Sequence, residues 1–231
     1  MKQKILIVEN NPAYLKAAKS YFAGLPDVEA GFADNYEQAE AMLPNYQKAL
    51  IDIFIPENKA EKVGKVGKAL MKGLEASLEE ERANYLVETI KENKEVHKSL
   101  LAYSKHIANV ELKELDAVSL RKLVLEHPNL KESLDCLSDC DERISQLEKE
   151  LANLIEEEEK GHAPLGINVA KQAGDLKIPY CFVTDGHHSH GPLYGTIRRT
   201  CLEGKVFDAG YGRKDQAEFW QTALNHLKRS S

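Results

Sequence analysis

Two short, unbroken apolar runs, each closed by polar residues and a proline, restrict this chain more than any other feature. Ile5-Leu6-Ile7-Val8 leads into Glu9-Asn10-Asn11-Pro12, and Ala49-Leu50-Ile51-Asp52-Ile53-Phe54-Ile55 is stopped by Pro56. Runs this apolar and this brief suit strands buried on both faces, as found in parallel sheets covered by helices. Between them lie a helical spacing through Tyr14, Leu15, Ala18, Tyr21 and Phe22, a strand-like stretch from Val28 to Ala33, and a helical stretch from Tyr36 to Leu43. The order βαβαβ predicts an α/β fold built on a parallel sheet, with the third strand running from Ala49 to Ile55 and carrying Asp52 in its last half.

After Pro56 the alternation stops, and nothing strand-like returns before Ile178-Pro179-Tyr180-Cys181-Phe182-Val183. The intervening residues have helical spacing: Val63, Val66, Leu70, Leu74 and Leu78 in one stretch, and Leu130, Leu134, Leu137, Ile144, Leu147, Leu151 and Leu154 near a heptad period in another. This predicts an all-α hairpin or bundle, 58–161, inserted after the third strand, with its long helices antiparallel so that the chain can re-enter the same sheet. From Gly166 the first pattern resumes, with a helix through Val169 and Ala170, a strand ending at Thr184, a helical stretch from Tyr194 to Leu202 and a strand from Lys205 to Ala209. A last helix from Lys214 to Lys228 follows, its apolar face formed by Phe219, Trp220, Ala223, Leu224 and Leu227. Segments 1–57 and 162–231 together make a discontinuous, doubly wound (βα)5 domain.

The charge distribution follows the same division. Segment 58–161 holds 17 Lys and Arg against 23 Asp and Glu, so the entire net charge of −6 sits there, and it contains no Phe or Trp. A solvated acidic surface is a poor match for nucleic acid or an anionic membrane, and neither is expected as a partner. No apolar run reaches the roughly 18 residues of a membrane span, and no signal-peptide pattern opens the chain, which predicts a cytoplasmic protein. The four cysteines, Cys136, Cys140, Cys181 and Cys201, are too sparse for a disulfide scaffold and read as reduced thiols.

In an open parallel sheet the working groups collect at the carboxyl ends of the strands. Glu9 and Asn10 follow the first strand, Asp52 belongs to the third, and Thr184 with Asp185 ends the fourth, so these positions converge on one crevice. An oxygen-only set of this kind suits Mg²⁺, with Glu9, Asn10 and Asp52 as candidate ligands.

These segments resemble, in order, the receiver domain of response regulators. Ile5 to Pro12 is similar to its first strand and acidic pair, and Leu50 to Pro56 to the strand bearing its phospho-accepting aspartate. Gly166 with its helix and Ile178 to Thr184 are similar to its third helix and its fourth strand with the Thr/Ser switch residue. The resemblance covers 1–57 and 162–231 and implies a flavodoxin-like sheet in a two-component signalling protein. It further implies Asp52 as phosphoacceptor, Thr184 as switch residue, Mg²⁺ as cofactor, and a sensor kinase or small phosphodonor as partner. Two departures stand out. The second acidic position is Asn10. Counted from Phe207 as the aromatic switch, the phosphate-pairing lysine falls at Gly210, with Tyr211 in place of proline, while Lys205 and Lys214 lie out of register. A phosphorylated receiver and a degenerate pseudo-receiver therefore both remain open.

Two other features carry chemistry. Asp185, His187, His188 and His190 cluster in one loop at the same sheet edge and form a candidate transition-metal site, the basis of an alternative reading as a metal-binding protein or metal-dependent enzyme. Cys136 and Cys140 share a helix face, more simply as apolar packing than as a metal or redox pair. The chain has no glycine fingerprint for a dinucleotide or a P-loop, and the only catalysis expected is self-phosphorylation from a phosphodonor. The insertion is the expected output surface, through self-association or a helical partner. A structural adaptor with no ligand is the remaining alternative.

Overall fold

The computed structural model describes residues 2–60, 62–92, 116, 118, 142–159, 163–184, 206–208 and 213–229. The elements are β1 (Gln3–Val8), α1 (Pro12–Ala23), β2 (Val28–Ala33), α2 (Tyr36–Met42), a 3₁₀ turn (Leu43–Asn45), β3 (Lys48–Ile51), α3 (Lys65–Glu92), α4 (Glu142–Glu159), α5 (Gly166–Asp175), β4 (Tyr180–Thr184), β5 (Val206–Asp208) and α6 (Ala217–Arg229). They divide into two compact units, one of Met1–Gly73 with Leu154–Ser231 and the other of Leu74–Asn153.

The first unit is an α/β structure whose five strands run parallel in the order β2-β1-β3-β4-β5. Val8 stands opposite Ala33 on one side and Ile51 on the other, while Ile51 pairs with Phe182, so the carboxyl ends of the central strands are level. Central strands of a parallel sheet are covered on both faces, and Ile5, Leu6, Ile7, Val8, Ala49, Leu50 and Ile51 are all fully buried. One face packs Ile5, Ile7, Leu50, Cys181 and Val183 against Ala18 and Phe22 of α1 and against Phe219, Trp220, Ala223, Leu224 and Leu227 of α6. Trp220 meets the rings of Phe22 and Phe219 edge-on, with centroids 6.3 and 5.1 Å away. The other face is covered by α2 and α5.

Local chemistry fixes where the helices begin. Asn11 caps α1 by accepting from the Ala13 N–H, and Pro12, which lacks an N–H to satisfy, takes the first helical position. Asn35 caps α2 through the Gln38 N–H, while the Gln38 side chain accepts from the Asp34 N–H.

Two boundaries and one buried helix face differ from the sequence reading. β3 ends at Ile51 rather than Ile55. The Asp52 N–H still bonds to Val8 O, but the Ile53 carbonyl turns away to accept from the Gly166 N–H, and Ile55 makes only an isolated parallel bridge with Pro164. The last helix begins at Ala217, leaving Lys214 in a turn closed by the Gln216 N–H to Arg213 O bond. The buried stripe of α3 runs through Gly67, Met71, Leu74 and Leu78, while Val66, expected on it, is exposed. Gly67 sits so close to Val63 and Ala163 that a Cβ there would lie 3.0 and 3.2 Å from their side chains, which sets the face that α3 turns inward.

In the second unit, Leu74, Leu78, Leu86, Val87 and Ile90 of α3 are buried, as are Ile144 and Leu147 of α4. Arg82 donates through Nε to Glu148 at 2.9 Å, whereas Tyr85, further along α3, carries the guanidinium of Arg143, further back on α4, 4.6 Å from its ring centroid. The two helix segments therefore run side by side in opposite directions. The heptad positions Leu130, Leu134 and Leu137 lie outside the described residues. Among the described residues no helix is long and apolar enough to cross a membrane.

Candidate functional site

The β1–β3 register brings Glu9 and Asp52 together: Glu9 follows Val8, Asp52 follows Ile51, and those two residues are paired. Each carboxylate meets the ammonium of Lys214, whose Nζ donates to Glu9 Oε2 at 2.9 Å and to Asp52 Oδ1 at 2.7 Å. The lysine side chain is 2 % exposed, Glu9 is sealed, and Asp52 retains 16 %. Asp52 is thus the member of the trio that solvent or a small reactant reaches.

Several contacts hold this arrangement. The Glu9 Oε1 atom accepts from the Asn11 N–H at 2.9 Å, the same residue that caps α1. The Trp220 indole N–H donates to the Lys214 carbonyl at 2.8 Å, so the core tryptophan of α6 fixes the backbone from which the lysine reaches inward. The Tyr14 ring lies 5.6 Å from the same ammonium. Gly166 is required on the opposite side, because a Cβ there would stand 2.0 Å from the Asp52 carbonyl oxygen.

Two carboxylates and one ammonium leave an excess negative charge in a dry place. Burial, and then repulsion from Asp52, push the Glu9 carboxyl up to about 7, although Lys214 and the Asn11 N–H pull the other way. For Lys214, burial alone lowers the ammonium's pKa, but attraction to Asp52 and then to Glu9 outweighs it and holds the group above its ordinary value. Lys214 therefore stays charged at neutral pH, and the proton that adjusts the balance belongs to Glu9.

Of the expected metal ligands, Glu9 and Asp52 converge on one cation, while Asn10 lines a neighbouring cleft of about 330 Å³ with Asp34, Pro56 and Lys62. Glu9 Oε2 and Asp52 Oδ1 both accept from the Lys214 ammonium, which occupies the point where the two carboxylates converge. Among the described residues no group of three or more His, Cys, Asp or Glu side chains is arranged to hold a metal ion. Thr184 is the last residue of β4, two beyond the Phe182 that pairs with Ile51. Asp185, His187, His188, His190, Cys136, Cys140, Lys205, Gly210 and Tyr211 lie outside the described residues.

Lys214, which the count from Phe207 sets out of register, is the residue whose ammonium meets both carboxylates. The available signal was an amphipathic helix rich in aromatics starting just after it, since burial of Phe219 and Trp220 against β1 and β3 pulls the preceding turn towards the strand ends.

No family model, curated protein or solved structure matches the chain.

Proposed function

We propose that the chain is a receiver-like regulatory module with a flavodoxin-like sheet, in which Asp52 accepts a phosphoryl group and the helical insertion 58–161 is the output surface. The observation that carries this reading is Lys214, which pairs with Asp52 from the position where a phosphate-binding cation is needed. The strand order β2-β1-β3-β4-β5 supports it, because the order reverses at β1, beside Glu9 and Asp52.

The chemistry follows from the geometry. Asp52 Oδ1 is held by Lys214, so Oδ2 is the oxygen that attacks the phosphorus of an acyl phosphate. The new O–P bond forms as the bond to the leaving carboxylate breaks, and no proton transfer is required. Lys214 stays protonated throughout and offers its N–H groups to the incoming phosphoryl oxygens. Glu9, Asp52 and Asn10 would hold Mg²⁺, which when bound supplies further neutralisation of those oxygens. Thr184, at the end of β4, is assigned the switch role of hydrogen-bonding the new phosphoryl group. The donor is a small acyl phosphate or a sensor kinase, and the output is self-association or a helical partner.

Incubation with acetyl phosphate and Mg²⁺ followed by intact mass tests this directly. An added phosphoryl group, about 80 Da, is expected on the wild type and not on Asp52→Asn. An unmodified wild type under millimolar Mg²⁺ overturns the assignment and leaves a degenerate receiver, and an adduct that survives Asp52→Asn overturns it by placing the phosphoryl group elsewhere.

A further inference from the structure

We propose that Glu57 is the residue through which the state of Asp52 reaches the helical segment: its carboxylate ties the loop after Asp52 to the first turn of α3. This rests on Asp52 as the acceptor and names the route by which that site is read.

Glu57 is a buried carboxylate, 6 % exposed, and it lies five positions after Asp52. Its oxygens accept from two backbone amides, the Val66 N–H at 3.1 Å and the Gly67 N–H at 2.7 Å. Those amides belong to the opening turn of α3, where no carbonyl of the preceding turn is available to them; Lys68, bonded to Gly64 O, comes next. A buried charge accepting two N–H bonds at a helix start is a strong and directional tie.

The loop carrying Glu57 is pinned along its length. Ile53 O accepts from the Gly166 N–H, Pro56 O from the Tyr36 N–H and Glu57 O from the Glu37 N–H, while the Glu57 N–H donates to Lys62 O. Ile53, Phe54 and Ile55 are buried. A segment held at both its ends and its middle does not absorb a displacement at Asp52 by local slack, because packed elements shift between discrete arrangements rather than deform smoothly. A phosphoryl group on Asp52, interposed where Lys214 now bonds its Oδ1, therefore moves Glu57 relative to α3, and the Val66 and Gly67 amides lose their acceptor.

The Val66 and Gly67 amides are also the reporters. Hydrogen exchange of the full chain, resolved at these two positions, is compared in wild type, Asp52→Asn, Glu57→Ala, Glu57→Gln and the two combinations with Asp52→Asn. Removing the acceptor in Glu57→Ala accelerates both amides by about tenfold to a hundredfold, the range for hydrogen bonds to a charged group, and Glu57→Gln gives an intermediate value. Asp52→Asn, which loosens the lysine's hold on the loop, accelerates them several-fold in wild type and adds nothing in the Glu57→Ala background. Additive effects in the double variant, or no response to Asp52→Asn with Glu57 intact, overturn the coupling. Acetyl phosphate added to the wild type, with the adduct followed by mass, separates the two ideas. A missing adduct removes the phosphoacceptor reading and leaves the Asp52–Glu57 coupling to the variants. An adduct with unchanged Val66 and Gly67 exchange removes the coupling alone.

Discussion

Replacing Lys214 by methionine keeps the side chain's length and removes its charge, which exposes the energetics of the buried trio. The Lys214 carbonyl still accepts from Trp220, so the backbone anchor survives. What remains is Glu9, fully buried, with only the Asn11 N–H on its carboxylate. Breaking a buried ion pair on one side costs about 3–5 kcal/mol, because the remaining charge is neither solvated nor paired.

The cost depends on pH in a direction that Glu9 fixes. Its folded-state value of about 7 stands above the ordinary 4.5, so between those values the folded protein holds a proton that the unfolded chain has released. Stability from this group is therefore fully present below 4.5 and falls as pH rises through 7, by roughly 3 kcal/mol in all. In Lys214→Met the carboxyl loses its attractive partner and holds its proton to still higher pH, so the variant goes on losing stability where the wild type has levelled off. Near pH 5 Glu9 is protonated in both, and the difference is smallest. Urea unfolding followed by the fluorescence of Trp220, the one tryptophan of the chain, measures this. With a slope of about 2 kcal/mol per molar urea, the midpoint drops by about 1.5–2.5 M at pH 8. Adding Glu9→Gln recovers most of that loss, since the buried group is then neutral. A Lys214→Met protein within about 1 kcal/mol of wild type at pH 8, or one equally destabilised at pH 5, would refute the reasoning.

Gly166→Ala forces a Cβ to within 2.0 Å of the Asp52 carbonyl oxygen; the protein loses about 1–3 kcal/mol or more in urea unfolding, and phosphoryl transfer to Asp52 slows. Lys177 has φ of 56° just beyond α5, in the left-handed region that glycine enters freely, so Lys177→Gly raises stability by about 0.5–1 kcal/mol, read as a higher thermal midpoint. Because Ile55 and Pro164 form a bridge, the two ends of 58–161 are already neighbours in the sheet unit; replacing that segment by a short linker leaves a domain that unfolds cooperatively, and a non-cooperative product would show that the helices belong to its core.

The strands were legible because burial on both faces writes itself as continuous apolar sequence: Ile5 to Val8 and Ala49 to Ile51 needed no other cue. Where a strand stops was not, since Ile53, Phe54 and Ile55 are as buried as the strand before them, and a hydrogen bond from distant Gly166 diverts the chain. Glu9 and Asp52 were found by position at strand ends. Lys214 was not, because the restraint that places it is a tertiary one, the Trp220 bond to its carbonyl. Glu57 gave no signal either: a carboxylate after a proline reads as a solvated loop residue until the helix it caps, nine and ten positions on, is folded against it.

Burial is graded across the trio, and the gradient divides the labour. A group that exchanges ligands must be reached, and Asp52 keeps 16 % of its side chain open; a group that sets the charge of the pocket is better sealed, and Glu9 is. With one ammonium facing two carboxylates, the residual negative charge is relieved either by the proton on Glu9 or by a second cation at the oxygen set. Both would relieve the same charge, so on the proposed function a divalent cation bound there would compete with the proton on Glu9. The phosphoryl group proposed for Asp52 would act in the opposite sense, adding negative charge beside Glu9 so that it would hold its proton more tightly. On the proposed function, Lys214 would link proton binding at Glu9 to phosphoryl transfer at Asp52, because its ammonium bonds to both carboxylates.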